Sequence, residues 1–181
     1  MEQGDGAQHS LKRLLCLERE GEGSLVLDGQ QRMTTCCILL AALRDAATHA
    51  GLPDLAAQIA SMLALDAPRP DWAHVLSPTL DDRVDFATAL APQLPPPTAA
   101  PDDAGPLVRC RAFFSAAIAA DAGESSLLAL TTGVTQGLHV LHFPISGSVQ
   151  MQAGTKTCRV LFAACCVLLA VCCLPHTNSQ I

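Results

Sequence analysis

The stretch Leu27-Asp28-Gly29-Gln30-Gln31-Arg32-Met33-Thr34-Thr35 constrains the fold of this chain more than any other. It is entered from a short β-prone run, Ser24-Leu25-Val26-Leu27, and opens into an amphipathic pattern that ends near Ala50. That order predicts a strand over 24–28, a tight turn at Gly29 and a helix over 30–50. On the helix Met33, Cys36, Cys37, Leu40, Leu43 and Ala47 recur at three- and four-residue steps, which places them on one buried face. Gly51 ends it, with Pro53 just beyond.

The chemistry of the turn follows from where a helix begins. The first turn directs unsatisfied N–H groups and a partial positive charge outward, which suits an anion. Arg32 stands in that turn, where a cation meets the positive end of the macrodipole and is mildly unfavourable. A phosphate shared by the helix end and the guanidinium would reverse that cost. A plainer reading stands beside this one. Asp-Gly between apolar runs is a hairpin-turn signal, Asp28 can cap a helix, and Arg32 can be a solvated side chain.

The segment SLVLDGQQRMTTCCILLAALRD closely resembles the signature of the GmrSD restriction endonuclease N-terminal domain family, of the ParB/sulfiredoxin-like group. In that family a strand ends in an aspartate, a Gly-Gln-Gln-Arg turn follows, and a Thr-Thr pair begins a leucine-rich helix. Here Met33 stands where leucine is common. The likeness is strong over about residues 11–50, weak over 72–145 and absent beyond. It implies an α+β domain, mainly helical, with a short sheet and the strand–DGQQR turn–helix as its core. It also implies binding and hydrolysis of a nucleoside triphosphate with Mg2+, coupled to cleavage of foreign or modified DNA. Asp28, Gly29, Gln30, Gln31 and Arg32 would lie at the phosphates: Gly29 for close backbone approach, Arg32 for charge, Gln30 and Gln31 as amide donors or to orient water. Asp28 would help hold the metal ion or shape the turn.

Composition narrows the alternatives. The chain has 181 residues and a net charge of -6, with only 11 lysines and arginines, and no basic stripe can be read. Unaided capture of DNA needs clustered cations, so DNA would be reached through a partner, such as a separate nuclease domain. Aromatic residues make up 3% and there is no tyrosine, so leucine, alanine and valine must build the core. The nine cysteines are odd in number and include three adjacent pairs, and the polar start MEQGDGAQHS has no leader character, which argues against a disulfide framework. Cys36 and Cys37 read as small buried hydrophobes. Cys165, Cys166, Cys172 and Cys173 lack zinc-site spacing and a polar setting, so no metal site is expected from protein ligands.

Along the chain, residues 1–10 read as a disordered start and 11–145 as the family-like domain. Residues 9–17 fit a short helix or a distorted strand, and 18–23 a turn. Asp54 is expected to cap a helix running to Leu65, with Leu55, Ile59, Met62 and Leu63 inward. A strand over 72–78 and a helix over 80–90 carrying Val84, Phe86 and Leu90 come next. His74-Val75-Leu76-Ser77-Pro78 and Asp85-Phe86 loosely match the strand, turn and helix that follow the signature in the family. Residues 91–106 are proline-rich and predict an exposed loop. Helices over 107–122 and 125–136 and a strand over 138–143 closed by Pro144 complete the domain. On a strand, His139 and His142 fall on opposite faces, which opposes a shared metal or acid–base role.

Residues 146–181 change character. Within them 160–174 is an unbroken apolar run of fifteen residues, short of the roughly twenty a membrane span needs. It reads as a non-family tail, with a buried helix, an interfacial segment and a membrane anchor as the alternatives. The expected location is intracellular, soluble and cytoplasmic. Two parts of the family pattern are missing: an early-strand Pro-x-x-Gln-Arg segment and a His-Asn-His nuclease motif. The chain therefore reads as a truncated or degenerate copy. Two functions follow: a nucleotide-binding, NTP-hydrolysing domain, or a non-catalytic interaction or regulatory fragment that keeps the fold without the chemistry.

Overall fold

The computed structural model describes residues 9–19, 23–69, 72–120 and 123–145. Among the described residues it is an α+β structure with five helices, a three-stranded mixed sheet and a two-stranded one, organised in two units. One unit comprises Met1–Gln30 with Thr135–Ile181, the other Gln31–Val134.

The first unit is built on three strands in the order β2-β1-β5: β1 (His9–Arg19), β2 (Gly23–Asp28) and β5 (Leu138–Ile145). β1 and β2 pair antiparallel and β1 and β5 parallel. A parallel pair needs a long crossover, and here the chain between β2 and β5 supplies all the helices. Of the two readings left open for residues 9–17, the strand is the one adopted. Pairing overrides a short helical pattern: Leu15–Leu17 have partners on both β2 and β5, and the rest of the strand is paired on one side over most of its length. His9 and Ser10, also counted in the disordered start, are in the strand, as are Glu18 and Arg19, which sequence alone read as part of a turn. Leu14, Cys16, Val26 and Val140 are buried on one side of the sheet. β5 continues through Pro144 to Ile145 rather than closing at the proline, which an edge strand tolerates because no neighbour needs the missing N–H.

Within the second unit α1 (Gln30–His49) is the most buried element. All six residues expected on its inner face are buried, but so are Ile38, Ala41, Ala42 and Asp45. It is therefore a helix buried nearly all round rather than an amphipathic one. α2 (Pro53–Leu63) follows, with Leu52 at the N-cap and Pro53 in the first turn. Asp54 thus lies inside the helix and makes no capping bond, because proline at the first position sets the start one residue earlier. The helix ends at Leu63 rather than Leu65, where the chain enters β3 (Ala64–Arg69), paired antiparallel with β4 (Trp72–His74). The strand expected over 72–78 is three residues long, and its partner was not expected: only its first two residues, Ala64 and Leu65, were read, as the end of a helix.

α3 (Arg83–Leu90) buries Phe86, Ala89 and Leu90 but leaves Val84 exposed. The proline-rich segment is irregular up to Gly105, and Pro106 is the first residue of α4 (Pro106–Ala119) rather than the last of the loop. Gly105 is required there by close approach: a Cβ would lie 2.4 Å from the Asp85 carboxylate, whose Oδ2 accepts the Leu107 N–H at 2.9 Å. α3 thereby supplies the side-chain acceptor at the start of α4. α5 (Glu124–Gln136) buries Leu127, Thr131, Val134 and Thr135 at helical spacing. Residues 1–8 of the expected start at 1–10, residues 20–22 of the turn expected at 18–23 and the whole tail 146–181, with its cysteine pairs and apolar run, lie outside the described residues. No described helix is long and apolar enough to cross a membrane.

Candidate functional site

The turn expected at Gly29 is present. Gly29 has φ 102°, a conformation side-chain-bearing residues rarely adopt, and it joins the end of β2 directly to α1. Asp28 is the last strand residue, Gln30 the first of the helix, and Gln31 and Arg32 occupy its first turn. No acidic residue lies in that turn.

The position of Asp28 is fixed by an irregularity in the β1–β2 ladder. Cys16 pairs with Val26 but Leu15 pairs with Asp28, so Leu27 is an extra residue on β2. Such a bulge re-aims the side chains beyond it. Asp28 comes within reach of Arg13 on β1, with Nε 3.5 Å from Oδ2, and both side chains are open to solvent, at 73% for Arg13 and 46% for Asp28. Gln30 turns its amide back on its own strand: Nε2 donates to the Val26 carbonyl at 2.6 Å. Gln31 is exposed, and its carbonyl accepts from Thr35 Oγ1 at 2.8 Å. Arg32 is half-buried. Thus the five residues form one continuous turn, in which the Gln30 and Asp28 side chains are tied to neighbouring strand residues. Arg13 was not among the residues singled out in the sequence. A cation two places before Leu15 has no local signal; only the strand pairing brings it to Asp28.

A second charged cluster was also not anticipated. Arg111 on α4 is fully buried, and its Nη2 donates to Asp45 Oδ2 on α1 while its Nη1 donates to the Ile38 carbonyl at 3.3 Å. Asp45 Oδ2 also accepts the Gln93 N–H at 2.8 Å, and Oδ1 accepts from Arg44 Nε at 2.8 Å. Burial pulls the Arg111 guanidinium down to about 10, although the Asp45 charge acts the other way. These contacts join α1, the proline-rich loop and α4 within the second unit.

His74 packs edge-on against Trp72 and Phe86, with ring centroids 5.1 and 6.4 Å away, and Arg83 lies 5.3 Å over the Trp72 ring. Burial, and secondarily the Arg44 charge, hold His74 below the usual imidazole range. Cys36 and Cys37 are buried, and burial pushes the Cys36 thiol up to about 11, away from nucleophilic chemistry at neutral pH. Among the described residues no group of three or more His, Cys, Asp or Glu is placed to hold a metal ion. Asp28 is the one carboxylate of the 28–32 turn, and it is paired with Arg13. A groove of about 480 Å³ beside the α1–α2 turn, floored by Leu52, Leu55 and Leu128, includes none of residues 28–32.

No family model, no curated protein and no solved structure matches the chain.

Proposed function

We propose that this chain is a nucleotide-binding domain of the GmrSD N-terminal, ParB/sulfiredoxin-like type. Phosphates are held at the turn formed by Asp28, Gly29, Gln30, Gln31 and Arg32. The reading is carried by one observation: a glycine at φ 102° passes a strand ending in aspartate straight into a helix with arginine in its first turn. A helix start directs N–H groups and a partial positive charge outward, which suits a phosphate, and Arg32 belongs to that first turn. Arg32 supplies the charge-dependent part of binding, and an arginine–phosphate contact can be bidentate. A bound nucleotide would bring its own Mg2+, and Asp28, the one carboxylate of the motif, would help hold the ion or shape the turn. The setting is cytoplasmic, and DNA is reached through a partner nuclease domain.

A second reading has its own support. Gln30 is bonded to Val26 and Asp28 is paired with Arg13, so two motif side chains also serve to hold the turn itself. A fragment that keeps the fold for interaction or regulation would retain those bonds without hydrolysing anything. Titration with ATP, GTP and CTP, with and without Mg2+, tests the first reading, and release of phosphate separates the two. Binding with release supports an NTP-hydrolysing domain, and binding without release supports a nucleotide-responsive fragment. No binding at millimolar nucleotide leaves the interaction fragment alone.

A further inference from the structure

We propose that the outer face of the β2-β1-β5 sheet is the docking surface for the chain's own apolar run, residues 160–174. The inference is independent of the nucleotide reading. Strand pairing defines the face. Cys16 pairs with Val26 and both are buried, as are Leu14 and Val140, so these four mark the inner side. Their neighbours along each strand point the other way. There Leu17 stands opposite Leu25 and Arg13 opposite Leu141, and Leu15 and Leu27 belong to the same side. Leu25, Leu27 and Leu141 are 41%, 48% and 37% exposed, and Leu15 and Leu17 are half-buried. Five leucines from three strands therefore share one open face. A sheet with one solvated face alternates apolar and polar residues. Here Leu14-Leu15-Cys16-Leu17 on β1 and Leu25-Val26-Leu27 on β2 are unbroken apolar runs, the pattern of strands covered on both sides.

The occupant follows from the chain that continues beyond β5. That strand ends at Ile145, and the uncharged apolar run begins fourteen residues later, at Val160. Fourteen residues of flexible chain reach about 20 Å, which exceeds the roughly 10 Å between the outer strands of a three-stranded sheet. A fifteen-residue run in helical form is about 22 Å long and about 10 Å wide, so one such segment spans all three strands. The leucine face and the run each need cover from water, and each supplies it to the other. Tethering favours this occupant over a second copy, because a short linker holds the run at an effective concentration of about a millimolar.

Cys165, Cys166, Cys172 and Cys173 lie within the run and report on its cover, since a buried thiol resists alkylation. The full chain, as wild type and as the Leu25→Asp, Leu27→Asp double variant, is treated with iodoacetamide and each cysteine is followed by mass spectrometry. In wild type the four thiols should react at least about tenfold more slowly than in urea. In the double variant they should react at the urea rate, while Cys36 and Cys37, buried on α1, stay protected and show that the fold is kept. A second measurement does not depend on the double variant folding: Leu27→Cys, oxidised at low protein concentration, should form a disulfide with one of the four within the same chain. Wild-type thiols that react at the urea rate overturn the proposal, and so does the absence of that disulfide. Protection that persists in the folded double variant places the run elsewhere and overturns it too. Protection lost on dilution, with the Leu27→Cys disulfide formed only between chains, gives the face to a second copy instead.

Discussion

Asp45→Ala is the single substitution expected to damage this fold most. Asp45 is buried, and its carboxylate accepts from Arg111, from Arg44 and from the Gln93 backbone. Removing it leaves a fully buried guanidinium with only the Ile38 carbonyl as partner, and the Arg111 Nε has no hydrogen-bond partner among the described residues even in the intact chain. Stranding a buried charge costs about 3–5 kcal/mol, far more than the pair itself contributes. Arg111→Met is milder, because Asp45 keeps its bonds to Arg44 and Gln93, and the loss of one charged hydrogen bond is about 1.5–3 kcal/mol. The double variant removes both charges from the interior and costs less than the sum of the two, with a coupling of at least about 2 kcal/mol. Urea denaturation followed by circular dichroism gives all four stabilities. A loss below about 1 kcal/mol in Asp45→Ala, or strict additivity in the double variant, would refute the assignment of Asp45 as the partner of a buried charge.

Other substitutions report on separate parts of the structure. Gly29→Ala forces a side chain into φ 102° and should destabilise by about 1–3 kcal/mol in the same denaturation experiment. Gly105→Ala displaces Asp85 from the Leu107 N–H and should lose about 1 kcal/mol or more, nearly all of it already lost in Asp85→Ala; independent losses would show that the Asp85 contact is not what Gly105 protects. His74 is held below its ordinary value, so the unfolded chain takes up a proton that the folded chain resists. Stability should therefore fall as pH drops below about 6.5 towards the lowered His74 value, and His74→Phe should flatten that part of the melting profile. Cys36, buried and raised to about 11, should resist iodoacetamide at pH 8 in the native state and react on unfolding; rapid native labelling would contradict its burial.

Where one local rule governed, the residues spelled out the structure. Gly29 between a β-prone run and a 3.6-residue pattern defined the strand, the turn and the helix, because only glycine accommodates the backbone there. The six-residue inner face of α1 was legible for the same reason, but periodicity could not show that Ile38, Ala41 and Ala42 are buried too. Long-range pairing was what the sequence hid. Ala64 and Leu65 read locally as the end of a helix, and residues 64–69 become a strand only through Trp72–His74. Arg111 looks like a surface residue beside Phe113, yet Phe113 is 69% exposed and Arg111 is enclosed, since Asp45 lies 66 positions away with the matching charge. Arg44, which would pass for an exposed control on α1, is bonded to Asp45 for the same reason. Within the candidate site, Asp28 to Arg32 could be named from their order alone, whereas Arg13 required the β1–β2 register.

The central claim is that the 28–32 turn holds phosphate with Arg32 as its chief cation, and a calorimetric titration of four proteins tests it directly. Wild type, Arg32→Ala, Arg32→Lys and Arg109→Ala are titrated with ATP, GTP and CTP, with and without Mg2+. Arg109 is the control, exposed on α4 and not part of the turn. Loss of a charge-assisted hydrogen bond of about 1.5–3 kcal/mol predicts that Arg32→Ala binds roughly ten- to a hundredfold more weakly. Arg32→Lys should recover only part of that, because a lysine cannot reproduce a bidentate contact, and Arg109→Ala should match wild type. Nucleotide binding that is indifferent to Arg32, or absent from wild type at millimolar concentration, would contradict the claim.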